Sequence, residues 1–157
     1  MLASAVCLAL SGSIASATEH DLRIVPQIIV GTSGFEPGLA FELRGLDWPA
    51  LMVRPEVFVS EDERIGAGAA VLYDISPILT LSKRQTLAVG PRIVYHNADH
   101  DGWEADAMAT WSFDLMGGMR AWQHAVGILG AVGVTEDREN DDNDLGASAG
   151  IFYSYRF

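Results

Sequence analysis

The sequence predicts an all-β protein, a single eight-stranded antiparallel up-and-down barrel. Three observations carry that reading. From Leu22 onward, apolar and polar residues alternate with the period of two that belongs to strands. The alternating segments number eight: 22–30, 38–46, 50–59, 65–75, 86–96, 103–113, 119–134 and 145–157. The connections also sort by composition. "GTSGFEPG", "SEDERIG", "HNADHDG" and "TEDRENDDNDLG" are polar and mostly acidic, whereas "LDWPA", "SPILTLSKRQ" and "DLMGG" are less acidic and mostly shorter. Alternate connections of an up-and-down sheet emerge at opposite ends. Eight strands therefore gather the acidic loops at one end and both termini at the other; a ninth strand within 76–85 would scatter them.

Taken in order, the first seventeen residues, "MLASAVCLALSGSIASA", are uncharged and end in Ala15-Ser16-Ala17. An apolar stretch closed by an A-x-A pattern predicts a cleavable signal peptide over 1–17 and a barrel domain over 18–157. Cys7, the single cysteine, lies in that peptide and lacks a lipidation pattern. The mature chain then has no thiol for disulfides, metal binding or catalysis. Segment 119–134 could be mistaken for a helix, but Gly127, Gly130 and Gly133 would each cost a helix about 1 kcal/mol. Pro26, Pro55 and Pro91 fall inside strands, where each removes a ladder donor, and they predict bulges or strand ends there.

Parity divides every strand into two unlike faces. One carries Phe41, Val53, Val57, Val71, Ile93, Trp111, Ile128 and Ile151; the other carries Gln27, Glu42, Arg44, Arg54, Glu56, Arg92, Glu104 and Asp106. Alternation alone does not say which face is inside. A soluble lipocalin-like barrel buries the apolar face, and a membrane barrel exposes it to lipid. The rings favour the second arrangement. Tyr73, Trp111, Phe113, Trp122, Tyr155 and Phe157 gather toward the end with the short turns; Phe35, Tyr95 and Trp103 lie toward the acidic end. Two aromatic belts are what lipid–water interfaces select. Strands of about 9–11 residues also suffice to cross a bilayer when tilted. No run reaches the roughly 20 apolar residues of a membrane helix.

The chain ends in "GASAGIFYSYRF", with Ile151, Tyr153 and Tyr155 alternating up to a final Phe157. This segment resembles the C-terminal signature of bacterial outer-membrane β-barrels. Residues 22–157 together resemble the small eight-stranded barrels of the OmpA/OmpX/OmpW type. The resemblance implies a transmembrane barrel in the outer membrane, surrounded by lipid and lipopolysaccharide. It also implies that Ile151, Tyr153, Tyr155 and Phe157 are read by the barrel assembly machinery. A net charge of −11 argues against a nucleic-acid partner.

Three constellations could carry chemistry. Glu42, Arg44, Arg54 and Glu56 lie on adjacent strands, as do Arg92, Glu104 and Asp106. An eight-stranded lumen has room only for side chains, so these charges are expected to pair into a plug. His96, Asp99, His100, Asp101 and Glu104 form an imidazole–carboxylate cluster without zinc-type spacing. Barrel deacylases of lipid A carry a His-x-Ser-Asn run that none of His20, His96, His100 or His124 has. The acidic run with Asp137, Glu139, Asp141, Asp142 and Asp144 offers hard oxygens suited to divalent cations, but it lacks the glycine and closing glutamate of an EF-hand.

The sequence thus reads as a non-enzymatic outer-membrane barrel with no cofactor, catalytic residue or dedicated metal site. Its acidic loops would serve envelope integrity, adhesion or loose divalent-cation bridging to lipopolysaccharide. Two alternatives stay open: a lipid A-modifying barrel using a loop histidine, and a soluble ligand-binding barrel with its faces exchanged.

Overall fold

The computed structural model describes residues 20–32, 34–45, 48–60, 65–97, 102–115, 123–137 and 142–156. The expected signal peptide, Trp122, His100 and Phe157 lie outside these residues. The strands are β1 (His20–Gly31), β2 (Gly34–Gly45), β3 (Leu51–Val59), β4 (Ile65–Asp74), β5 (Gln85–Asn97), β6 (Gly102–Leu115), β7 (His124–Asp137) and β8 (Asp142–Arg156). Each pairs antiparallel with the next, and β8 closes on β1. The result is a closed eight-stranded barrel with no unpaired sheet edge.

Residues 75–84 add no strand. Ile78 and Leu79 donate their backbone N–H groups to Ile75, and Leu81 donates to Ser76, so the segment folds on itself. Ser76 anchors it: its amide donates to Asp74 Oδ1 at 2.9 Å, and its hydroxyl accepts from Leu87 N at 2.6 Å.

Several boundaries differ from the sequence expectation. β2 starts at Gly34 and not at residue 38, because Gly31 pairs directly with Gly34. The segment expected as an acidic loop, "GTSGFEPG", is therefore mostly strand, and Glu36 is buried on the lumen side. Gly34, at φ 100°, supplies a backbone conformation that side chains disfavour. The longest expected loop also shrinks. β7 and β8 stay paired as far as Asp137 and Asp142, leaving 138–141 as the connection. Ladder hydrogen bonds hold these polar residues in strand despite their low β propensity. β7 begins at His124, later than the expected residue 119.

The prolines produce neither bulges nor strand ends. In an antiparallel ladder each residue's N–H faces one neighbour only, so a proline interrupts one ladder and spares the other. Pro26 pairs with Leu39 of β2, and its gap faces β8, between the Ile24–Tyr155 and Gln27–Phe152 pairs. Pro55 keeps its place opposite Ala69 of β4 and leaves its gap toward β2. Pro91 pairs with Ala107 of β6 and interrupts the ladder to β4. The register on either side of each gap is unchanged.

Burial alternates along the strands, and the apolar face is the outer one. On β3, Met52, Arg54, Glu56 and Phe58 are buried, while Val53, Val57 and Val59 are exposed. On β6, Asp106, Met108 and Thr110 are buried, while Trp103, Trp111 and Phe113 face outward. Arg54 is 0% exposed, whereas Ile151 is 62% exposed. The lumen also holds an apolar cluster that includes Val25, Ile29, Met52, Leu72, Met108 and Phe152.

Candidate functional site

The lumen gathers most of the chain's interior charge. Period two puts Arg54, Glu56 and Phe58 on one side of β3, and Arg92, Val94 and His96 on one side of β5. Arg54 Nη1 donates to Glu42 on β2, and its Nη2 donates to Gln27 Oε1 on β1 at 2.5 Å. Gln27 Nε2 in turn donates to Glu56 Oε2 at 2.9 Å. The other oxygen of Glu56 accepts from Arg92 Nε at 2.5 Å. Arg92 Nη1 reaches Asp106 Oδ2 at 2.8 Å and stands 3.7 Å from Glu104. His96 Nε2 lies 3.3 Å from Glu104 Oε2.

Glu56 thus joins what the sequence suggests are two separate groups. It reaches from β3 over β2 to Gln27, and over β4 to Arg92. The strands it passes carry small residues on their lumen side, Gly38 and Ala40 on β2 and Gly66, Gly68 and Ala70 on β4. Side chains can cross a lumen only where the intervening wall is low.

Two phenylalanines complete the plug. The ring of Phe58 occupies the space where a Cβ on Gly66 would sit, and the ring of Phe152 does the same at Gly127. Arg92 lies over the Phe58 ring, and Arg54 lies over the Phe152 ring. A cation over an aromatic face gains from the ring quadrupole, more so where water is excluded.

Arg44 stands apart from this cluster. It pairs with Asp74 at 3.0 Å, in a second set of charges at the short-turn end. Arg23 lies 3.6 Å from Asp114 there, and Arg156 lies 3.0 Å from Asp21. A central ionic plug and a ring of ion pairs at one mouth therefore fill the barrel with interlocked side chains. Chemically, such an interior ties the strands to one another across the lumen. Buried ion pairs contribute specificity of arrangement more readily than net stability.

No protein-family model, curated protein or solved structure matches this chain. The site rests on its own geometry.

The remaining candidates fall elsewhere. His96 is a strand residue turned into the lumen, edge-on to Phe58. Asp99 and Asp101 lie outside the described residues. So do Glu139 and Asp141, and of Asp137 and Asp142 only the strand pairing is described. Asp144 is exposed. Among the described residues no three His, Cys, Asp or Glu side chains are placed to hold a metal ion. Ile151, Tyr153 and Tyr155 line the outer wall of β8, and His124 hydrogen-bonds the Tyr153 hydroxyl on that same outer surface.

Sequence reasoning left several members of the interior unassigned. Phe58 and Phe152 share the parity of the lumen charges, and that parity was the available signal. Glu36 has the parity of Glu42, but its flanking Gly and Pro residues give the segment the composition of a turn. Asp74 and Asp114 stand at strand ends, where an acidic residue carries no mark of facing inward.

Proposed function

We propose that the protein is an integral β-barrel of the bacterial outer membrane, a non-enzymatic anchor whose acidic connections serve envelope integrity or adhesion. One observation carries the reading: the barrel buries its ionic groups beside an apolar cluster, and its exterior is apolar. Val, Ile, Leu and Trp side chains cover the outer wall on all sides, while Arg54, Glu56 and Arg92 are buried. In water such a wall far exceeds the apolar patches that monomeric proteins expose. In hydrocarbon it matches its solvent, and a closed barrel satisfies its strand ladders internally.

Further features agree. The strands run from 9 to 15 residues, long enough to cross hydrocarbon when tilted. Trp48 in one short-turn connection and Ile78 in another are each 72% exposed, at the end that also bears Trp111, Phe113 and Tyr155. Rings and aliphatic groups at that level suit an interfacial belt. The partners that follow from this reading are outer-membrane lipid and lipopolysaccharide, the barrel assembly machinery at Ile151, Tyr153, Tyr155 and Phe157, and divalent cations bridging acidic carboxylates to phosphate.

The test is fractionation of the expressed full chain, followed by gel electrophoresis of boiled and unboiled samples, beside a variant lacking Phe157. Recovery in detergent-extracted envelopes, with a heat-dependent mobility shift that fails without Phe157, is the expected result. Release by osmotic shock without detergent would overturn it in favour of a soluble lipocalin-like barrel.

A further inference from the structure

The two ends of the barrel differ in the sign of their charge. At the acidic end, connections 60–64, 98–101 and 138–141 carry seven carboxyls against Arg64 and Arg138. At the other end, connections 46–50, 75–84 and 116–123 carry Asp47 against Lys83, Arg84 and Arg120. Strand-end charges there are matched within the barrel, Arg23 with Asp114, Arg44 with Asp74 and Arg156 with Asp21. The surplus cations of that end therefore belong to its connections, and two of them to 75–84.

That connection also carries aliphatic groups in the open. Ile78 and Leu79 are exposed, as are Lys83 and Arg84. Their exposure is held by hydrogen bonds. Ser76 ties the start of the segment to Asp74 and Leu87, and the Asp114 amide donates to the Arg84 carbonyl at 2.8 Å at its end. Between these ties Thr80 sits at φ 51°, a region that β-branched residues disfavour. A free loop would relax out of that conformation; here the Leu79 and Leu81 amides on either side are bonded back to Ile75 and Ser76.

The connection continues the apolar outer wall. Tyr73 of β4 stands opposite Val89 of β5, both are exposed, and residues 75–84 join these two strands directly. Whatever covers the wall at Tyr73 ends at this connection. If hydrocarbon covers it, acyl chains give way to headgroups beside residues 75–84. Aliphatic side chains next to lysine and arginine suit that boundary, because the stems lie along apolar matter and the heads reach phosphate. A protein partner fits less well. A stable protein contact takes about 20–30 residues a side, and this connection has ten.

We propose that residues 75–84 form a lipid-binding foot, with Ile78 and Leu79 in the edge of the acyl layer and Lys83 and Arg84 on the phosphates of anionic phospholipid in the leaflet at the short-turn end. The proposal rests on the membrane reading above and adds the headgroup chemistry to it. Lysine and arginine gain directly from an anionic surface. The carboxyls at the opposite end meet phosphate only through a bridging cation. The two ends thus select different surfaces.

The experiment is urea unfolding of the full chain assembled into vesicles of phosphatidylcholine alone and of an equal mixture with phosphatidylglycerol. Wild type is compared with the double variants K83Q/R84Q and I78S/L79S. The net charge of −11 opposes an anionic vesicle as a whole, so the quantity read is the ratio of folding constants, wild type over variant, in each vesicle. For K83Q/R84Q the ratio is expected near unity in phosphatidylcholine. In the mixture it should rise by about fivefold per basic residue, roughly 30-fold for the two. I78S/L79S should lose by one common factor in both vesicles. Equal K83Q/R84Q ratios in the two vesicles would overturn the headgroup contact while leaving the membrane barrel intact. No loss in I78S/L79S would overturn the insertion of the aliphatic pair. Inorganic phosphate raising the K83Q/R84Q ratio in phosphatidylcholine as far as phosphatidylglycerol does would replace the leaflet by a free anion. Failure of wild type to assemble in either vesicle would overturn the membrane reading and the foot with it.

Discussion

The guanidinium carbon of Arg54 lies 5.1 Å from the centroid of the Phe152 ring, and that ring covers Gly127 on the neighbouring strand. The same three-part arrangement recurs across the lumen, with Arg92 5.8 Å from the Phe58 ring and that ring over Gly66. Each part explains the next. A glycine on the lumen side removes the Cβ that would hold a ring away from the wall. The ring then shields bare strand backbone, a known way of rescuing glycine in sheets. Its outer face becomes a shelf for the arginine. An eight-stranded lumen fits large side chains only when some neighbours are this small.

Gly66→Ala tests that stacking most cleanly, because the nearest atoms to an added Cβ all belong to the Phe58 ring, the closest at 2.1 Å. The substitution is expected to destabilise the barrel by about 1–3 kcal/mol through overpacking. Combining it with Phe58→Leu should recover much of that loss. Urea midpoints for the two single variants and the double variant give the coupling energy, and additive losses would mean that ring and glycine do not share one space.

Two arginines of contrasting burial provide a second prediction. Arg54 is wholly buried against Glu42 and Gln27, whereas the Arg156 side chain is 44% exposed beside Asp21. Arg54→Met strands a buried carboxylate and should cost about 3–5 kcal/mol. Arg156→Ala should cost less than about 1 kcal/mol, as exposed pairs do. Unfolding free energies in micelles at one pH compare them directly.

Much of this interior was legible from parity alone, and the limits of legibility have physical causes. Alternation placed Glu42, Arg54, Glu56, Arg92, Glu104 and Asp106 on a common face, because a strand turns successive side chains to opposite sides whatever its neighbours are. What parity does not encode is height. Glu56 bonds to Arg92 two strands away, past Gly68 and Ala70, and only the register between strands reveals that low wall. Arg44 bonding to Asp74, two strands away on β4, has the same origin. Glu36 was hidden by a different conflict. Glycine and proline around it suggest a turn, but pairing along β1 outweighs that local preference.

Glu56 as the shared carboxylate predicts that the two arginines are not independent. Arg54→Met and Arg92→Met each remove a partner of the same connected network. The double variant should therefore lose less than the sum of the singles, with a coupling of about 0.5–3 kcal/mol. Strict additivity in the urea series would separate the cluster into two unconnected halves.

The outer wall gives the prediction that bears most directly on function. Ile128 of β7 is 52% exposed and pairs with Trp111 on one side and Ile151 on the other, so a row of bulky apolar groups crosses three strands. If hydrocarbon covers that row, Ile128→Lys places a charge where it costs about 2–4 kcal/mol at the bilayer midplane. Assembly into lipid vesicles should fall and the vesicle-folded barrel should unfold at lower urea. Lysine at the rim position Trp48, 72% exposed in a turn, should cost far less, because charge near the interface is tolerated to within about 1 kcal/mol. The depth dependence is the informative quantity. A wall facing water would give the opposite order of merit, with Ile128→Lys improving solubility and leaving stability nearly unchanged.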